Sequence, residues 1–206
     1  MKILLLGPQG SGKGTIGSMI SQETGIPLVS VGQILRNIPN EHPWRNSIQE
    51  QMKKGLLVEQ SMVAQLLKDE LSKDKYMSGF VLDGWYRSMK DIEAYEIDFD
   101  IAFLLQISPE TTVKRISSRR TCPKCGKIYN TVTPSEKPKI EGKCDKCITD
   151  LVQRDDDTEE AILKRLHIFQ TETKEVSDLL RDRGILKEID GEGPPNEVYS
   201  LIKPYL

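Results

Sequence analysis

The chain has 206 residues, 37% of them hydrophobic, and a formal net charge of −2, which suits one sizeable core carrying small inserted subdomains. This charge balance gives no reason to expect nucleic acid or an anionic membrane as a partner. The longest apolar run near the N-terminus, Ile3 to Leu6, is too short for a signal peptide or a membrane span. We therefore expect a soluble cytoplasmic protein, with a monomer as the default.

Short apolar segments alternate with helical patterns along the chain. Five segments are typical of strands buried on both faces: Lys2–Leu6, Pro27–Ser30, Phe80–Asp83, Ile101–Ile107 and Ile185–Ile189. Apolar strands that alternate with helices predict an α/β fold, in which helices flank both faces of a parallel five-stranded sheet.

The helical patterns begin and end at recognisable residues. Between 31 and 74 the pattern is broken by Pro39, Pro43 and Gly55, and a later helix begins at Pro109 with Ser108 as its N-cap. The pattern then predicts one long amphipathic helix from Thr158 to Arg183 and a last helix from Asn196 to Ile202.

A glycine-rich loop joins the first strand to the first helix, and its central residues are Gly10, Ser11, Gly12, Lys13, Gly14 and Thr15. Glycines let backbone N–H groups surround a phosphate, and the helix N-terminus adds partial positive charge. The strict phosphate-loop pattern has Ser or Thr directly after the lysine, whereas here Gly14 intervenes. A plain connecting turn is the alternative, but the lysine and threonine at this junction favour nucleotide phosphate binding.

The four cysteines form two C-x₂-C pairs separated by eighteen residues: Cys122, Cys125, Cys144 and Cys147. This spacing is typical of a closed four-thiolate structural zinc site, which leaves no open catalytic position. Two disulfides are the alternative, which a reducing cytosol disfavours. Gly126 supplies the left-handed residue expected after the first pair.

Together these motifs resemble the adenylate kinase family of nucleoside monophosphate kinases, in its form with a long zinc-binding lid. The resemblance covers essentially the whole chain. It implies a P-loop core domain (1–29, 59–119 and 155–206), an inserted acceptor-binding subdomain (30–58) and a zinc-binding lid (120–154). The implied reaction transfers a phosphoryl group from Mg-ATP to AMP and gives two ADP.

The resemblance also implies roles for individual residues. The segments Ser30–Arg36, Gly79–Arg87, Gln153–Asp157 and Lys164–Leu166, with the loop Asp190–Gly193, match motifs of the family. The cations expected to neutralise the transferring phosphoryl group are Lys13, Arg36, Arg87, Arg119, Arg154 and Arg165. Their separate positions agree with the chemistry, because phosphoryl transfer needs mainly positioning and charge neutralisation.

The remaining expectations concern the two nucleotides and Mg²⁺. The donor nucleotide is expected at Gly10 to Thr15, Arg115, Arg119 and Gly193, and Asp83 is expected to orient Mg²⁺ through water. The acceptor monophosphate is expected at Val31, Arg36, Leu56, Leu57, Val58, Gly84, Trp85, Tyr86, Arg87 and Asp91.

Two residues depart from the family where adenine is read, since Val31 replaces a threonine and Asp91 replaces a glutamine. An ionised carboxylate only accepts hydrogen bonds, so Asp91 facing the base would suit guanine better than adenine. Our favoured interpretation is that Asp91 points to solvent and that backbone groups near Leu56 to Val58 read the base. Kinases that accept GMP, CMP, UMP or several bases remain alternatives. The alternative from a different functional class is an ATPase that binds nucleic acid through the basic segment that contains the four cysteines.

Overall fold

A computed structural model describes residues 1–206 of the chain. The strands are β1 (Lys2–Leu6), β2 (Leu28–Ser30), β3 (Phe80–Asp83), β4 (Ile101–Gln106), β5 (Arg119–Thr121), β6 (Ile128–Asn130) and β7 (Leu186–Asp190). The helices are α1 (Lys13–Thr24), α2 (Val31–Arg36), α3 (Arg45–Lys53), α4 (Gln60–Leu71), α5 (Met89–Ala94), α6 (Pro109–Ser117), α7 (Glu159–Thr171), α8 (Thr173–Asp182) and α9 (Pro195–Ile202).

The main sheet has five parallel strands in the order β2-β3-β1-β4-β7. This confirms the predicted fold class, and the observed strands lie within one residue of the predicted limits at most ends. The cap of α6 is confirmed as well, because the Ser108 hydroxyl accepts a hydrogen bond from the Thr111 N–H at 3.1 Å.

Alternate residues of the central strand face opposite sides of the sheet, as the strand period of two requires. Leu4 and Leu6 belong to the larger hydrophobic cluster, whereas Ile3 and Leu5 belong to the cluster on the other face. All four side chains are at most 3% exposed. Burial on both faces explains why this strand is apolar throughout instead of alternating with polar residues.

Three chain segments that bear polar side chains leave the sheet at its carboxyl edge. β1 runs into the phosphate loop, and the neighbouring β2 and β3 end at Ser30 and Asp83, which are paired in register. The Ser30 hydroxyl donates to Asp83 Oδ2 at 3.4 Å. Ligands of open parallel sheets bind at this edge, so the topology gathers the phosphate loop and the segments Ser30–Arg36 and Gly79–Arg87 there.

The prediction of one helix from Thr158 to Arg183 is wrong, because the chain forms α7 and α8 with a break at Glu172. Thr173 is 4% exposed, and its hydroxyl donates to the Arg87 carbonyl at 2.8 Å. The break brings this hydroxyl against the loop that follows β3, a contact between residues far apart in the sequence that helical periodicity does not encode.

A second, small sheet lies between α6 and α7, where β5 and β6 pair antiparallel. Isolated bridges join Thr121 to Val152 and Lys143 to Asp150. This segment has its own small core, formed by Cys122, Tyr129 and Cys144. Among the helices, none combines the length and the apolar character needed to cross a bilayer.

Candidate active site

The phosphate loop folds around the Lys13 side chain. Its ammonium group donates to the carbonyl oxygens of Gly7 and Pro8, each at 2.8 Å, and to the Ser11 hydroxyl at 3.3 Å. Gly10 and Gly12 have φ values of 82° and 92°, in the left-handed region that glycine reaches without strain. Burial lowers the pKa of Lys13 to about 8, with Asp83 opposing that shift.

One cavity of about 730 Å³ opens at the carboxyl edge of the sheet. Every residue predicted to bind either nucleotide lies along its wall. The six predicted cations there are Lys13, Arg36, Arg87, Arg119, Arg154 and Arg165, which come from six separate segments of the chain. So dense a set of cations in one cavity is suited to a polyanionic ligand.

Two aspartates that the sequence analysis assigned no role hold three of these arginines in place. Arg119 forms a two-pronged ion pair with Asp157, whose side chain is fully buried. Asp156 contacts Arg165 at 2.8 Å and lies 3.9 Å from Arg36. Burial opposes ionisation of Asp156, but the attraction of Arg165 and then Arg36 outweighs it and keeps the pKa below the usual value. Both aspartates belong to the segment Gln153–Asp157, which was singled out for Arg154. Their position in that segment is the sequence feature that could have indicated a role for them.

Arg87 and Arg154 line the same cavity without an ion-pair partner. The Arg154 guanidinium donates to the Thr121 hydroxyl at 3.0 Å. Burial, then Arg119 and Arg36, lowers its pKa to about 9, so it remains protonated at neutral pH. Burial and the charge of Arg165 likewise lower the pKa of Arg87. These two side chains are cations whose charge no protein carboxylate directly neutralises, which makes them available to an anionic ligand.

The interpretation that Asp91 points to solvent is wrong, because this residue is only 5% exposed. Its Oδ2 accepts hydrogen bonds from the backbone N–H groups of Arg87 at 2.7 Å and Ser88 at 3.1 Å. Burial raises the pKa of this carboxyl group, and the two backbone hydrogen bonds oppose that shift. Asp91 thus fixes the turn before α5, while it also lines the cavity.

The aromatic pair before Arg87 fills the core. Tyr86 has a left-handed φ of 59° and a fully buried ring. Its hydroxyl donates to the Ile97 carbonyl at 3.0 Å and accepts from the Ile97 N–H at 2.7 Å. The Trp85 indole donates to the Tyr95 carbonyl at 3.1 Å. Gly84, Val31 and residues 56–58 complete this wall of the cavity.

Arg115, which is predicted to bind the donor nucleotide, is bonded to the loop after β7. Its guanidinium donates to the carbonyl oxygens of Gly191, Glu192 and Gly193 at 2.9, 2.8 and 3.2 Å. This contact fixes the loop relative to the phosphate loop, because Arg115 and Gly10 are also in contact.

A further contact joins the predicted lid segment (120–154) to the phosphate loop. The Thr15 hydroxyl donates to Glu136 Oε1 at 3.0 Å, and both residues line the cavity. They are separated by 121 positions, and no motif links them.

The four cysteines form a single cluster, in which all the Sγ atoms lie within 4.8 Å of one another. Sγ of Cys125 and Sγ of Cys144 are 3.7 Å apart. A tetrahedral site with Zn–S bonds of about 2.3 Å requires S–S separations of about 3.8 Å, so the geometry fits that metal. The Tyr129 hydroxyl donates to the Cys144 sulfur at 3.4 Å and accepts from the Asp145 N–H, which supports the cluster from behind.

Comparison with known proteins agrees with this geometry. The sequence model described as adenylate kinase matches residues 5–185. The chain is 36% identical over 214 aligned residues to an adenylate kinase of Clostridium kluyveri, which covers 100% of this chain and 98% of that relative. It is 37% identical to one of Clostridium botulinum with the same coverage, and 36% identical to one of Thermodesulfovibrio yellowstonii over 98% of this chain and 97% of that relative.

Proposed function

Since this chain belongs to the adenylate kinase family and is a nucleoside monophosphate kinase, we propose that it transfers the γ-phosphoryl group of Mg-ATP to AMP and forms two ADP. The observation that carries this proposal is the convergence of six cations on one cavity, three of them (Lys13, Arg87 and Arg154) without an ion-pair partner. Two nucleotides bring many negative charges together, and planar guanidinium groups bind phosphate in bidentate fashion.

We assign the donor and the acceptor nucleotide to different residues of the cavity. The donor's phosphates bind in the phosphate loop, with its base beside Arg115 and the loop that ends at Gly193. The acceptor's phosphate binds Arg36 and Arg87, which a plain ATPase would not need. Arg119, Arg154 and Arg165 neutralise the charge that spreads over the transferring group. No general base is required, because the attacking phosphate oxygen is already anionic.

When bound with the donor, Mg²⁺ would supply further neutralisation of the phosphate charge. Asp83 fits the role of a residue that orients the metal through water. Its carboxylate lies at the end of β3 on the cavity wall and accepts a protein hydrogen bond only from Ser30, so lone pairs remain for metal-bound waters.

The four cysteines are proposed to hold zinc as a structural ion. The closed set of four thiolates holds the two turns of the lid together and leaves no position for a reacting water. Zinc binding by these four cysteines requires reduced thiols, which a reducing cytosol maintains, so we propose the cytoplasm as the location. We propose that the lid (120–154) and the acceptor subdomain (30–58) close over the core and exclude water, so that the phosphoryl group passes to a nucleotide.

The test is to mix the purified protein with Mg-ATP and, separately, with AMP, GMP, CMP and UMP, and to follow both products by ³¹P NMR. We expect two ADP from ATP and AMP, and hydrolysis without an acceptor that is slower by orders of magnitude. ATP hydrolysis at the same rate with and without a monophosphate would contradict the proposal.

A GMP kinase is the second candidate, because Asp91 lines the cavity as a buried carboxylate.

A further inference from the structure

Glu136 places a carboxylate on the hydroxyl of the phosphate loop. It ends the short turn Pro134–Glu136 of the lid segment, and its Oε1 accepts the Thr15 hydroxyl hydrogen at 3.0 Å. Glu136 is partly buried along the wall of the cavity and forms no ion pair. A carboxylate in a cationic cavity is usually explained by an ion pair with an arginine. Glu136 forms no such pair, so its position needs another explanation.

A hydroxyl group has one hydrogen to donate. While Thr15 donates it to Glu136, Thr15 has none left for a phosphate oxygen. Thr15 also lies in the first turn of α1, where the free N–H groups and the helix dipole attract anions. The Glu136 carboxylate thus takes a place that a phosphate oxygen would otherwise fill, and its charge repels an incoming phosphate.

The lid segment also lies close to α2 at a second point. A Cβ atom added at Gly126 would lie 3.8 Å from the side-chain nitrogen of Gln33, which belongs to α2. Glu136 and Gly126 are therefore two points at which the lid segment meets the rest of the chain. Of these two contacts, only the one through Glu136 involves a charged group and the phosphate loop.

We propose that Glu136 is a built-in competitor of the donor's phosphates. The donor binds Thr15 only after the Glu136 carboxylate has left it, so the contact lowers the affinity for the donor triphosphate and leaves the acceptor site unaffected. The inference rests on the proposed function only in taking the phosphate loop as the donor's site.

Two variants of Glu136 and a matched control variant test whether Glu136 competes with the donor's phosphates. Glu136→Gln removes the charge but keeps an acceptor oxygen, whereas Glu136→Ala removes both. Glu141→Gln is the control, because Glu141 is an exposed lid residue without an ion pair or a side-chain hydrogen bond. We expect Mg-ATP, titrated alone by calorimetry, to bind Glu136→Gln about three- to tenfold more tightly than the wild type, and Glu136→Ala at least as tightly as Glu136→Gln. Glu141→Gln should differ from the wild type by less than about twofold, and the KM for AMP should stay unchanged in all three variants.

The outcomes separate this inference from the proposed function. A wild type that binds no ATP would refute the function itself. A wild type that binds ATP and makes ADP from AMP, while both Glu136 variants bind ATP equally or more weakly, would overturn only the role of Glu136. Equal tightening by Glu141→Gln would do the same, since it would show an effect of net charge instead of the contact. Melting temperature and metal content, compared for all variants, establish that each is folded.

Discussion

Gly126 and Ile148 occupy equivalent positions in the two C-x₂-C turns and share a left-handed backbone, with φ values of 72° and 56°. The Gly126 N–H donates to the Cys122 carbonyl at 2.9 Å, and the Ile148 N–H donates to the Cys144 carbonyl at 2.8 Å. For any residue with a Cβ atom this conformation costs roughly 1–2 kcal/mol, and for a β-branched one it is a genuine outlier. The second turn is therefore strained where the first is not.

Replacing Ile148 by glycine should stabilise the lid by about 1 kcal/mol, because the strain is relieved and the side chain, 61% exposed, loses little packing. The measurement is the urea concentration at which a chromogenic chelator captures the metal. Ile140→Gly is the matched control, since Ile140 is also an exposed lid isoleucine but has an ordinary φ. We expect no gain from it. A lower midpoint for Ile148→Gly would contradict the strain.

Metal removal should loosen the lid and leave the core folded. We expect one zinc ion per chain, since structural zinc contributes on the order of 10 kcal/mol to the folding of a small unit. After chelation, hydrogen exchange should speed up in residues 120–154, while the five-stranded sheet stays protected. Reduced, freshly purified protein that holds neither zinc nor another tetrathiolate metal would refute this prediction.

Sequence patterns predicted those parts of the molecule that depend on local composition or spacing. β4 is recognisable because both of its faces are buried, and the cysteine cluster is recognisable because C-x₂-C pairs at this spacing have few other uses. The break at Glu172, which was missed, lies beside the contact of Thr173 with Arg87. A helical pattern reports only which face is apolar, and it carries no information on a partner many residues away.

The burial of Asp91 and the contact of Glu136 with Thr15 were missed for the same physical reason. A single acidic residue is more often exposed than buried, and only the fold brings backbone N–H groups to Asp91. No local pattern indicates that Glu136 would meet Thr15, from which it is separated by 121 positions.

Lys13→Ala should fold normally and lose phosphoryl transfer by at least about 10²-fold, because removing one donor that stabilises developing charge costs on the order of 3 kcal/mol. The structure adds that the ammonium group holds the carbonyl oxygens of Gly7 and Pro8, so the loop should also become more mobile. The assay is kcat with saturating ATP and AMP, alongside melting temperature. Turnover near the wild-type value by a folded variant would remove the phosphate-loop interpretation.

The rate should also depend on pH through Lys13. Burial lowers the pKa of this ammonium group from 10.5 to about 8, so the free enzyme loses the charge as the pH rises through about 8. We expect kcat/KM for the donor to fall above that pH, since this parameter reports ionisation of the free enzyme. In Lys13→Arg the fall near pH 8 should disappear, because a guanidinium group holds its proton more strongly than an ammonium group, and only the loss expected from Arg154, whose pKa is about 9, should remain. An unchanged alkaline limb in Lys13→Arg would assign the ionisation to another group.

The preference among acceptor bases tests whether Asp91 contacts the base of the acceptor nucleotide. Two backbone N–H groups occupy Oδ2 and leave Oδ1 without a protein donor. The carboxylate accepts from an N–H of the base but offers nothing to N1 of adenine, whereas an amide both donates and accepts. We expect the wild type to use AMP with weak preference over other monophosphates. Asp91→Gln should raise the preference for AMP by about tenfold or more, since a mismatched buried polar group costs ~1–3 kcal/mol.

The comparison requires kcat/KM for AMP, GMP, CMP and UMP with both proteins, and kcat for AMP should change by no more than a few-fold. Asp91→Ala is the control for structure, because it removes the acceptor of the Arg87 and Ser88 N–H groups and should lower the free energy of unfolding by about 1–2 kcal/mol. Asp91→Gln keeps an acceptor oxygen, so its free energy of unfolding should fall by less.

Equal base preferences in the wild type and Asp91→Gln would show that Asp91 only stabilises the turn. A wild type that uses GMP well and AMP barely would contradict the proposed acceptor while leaving the monophosphate kinase activity intact, because the phosphate group that Arg36 and Arg87 are proposed to bind is shared by all these acceptors.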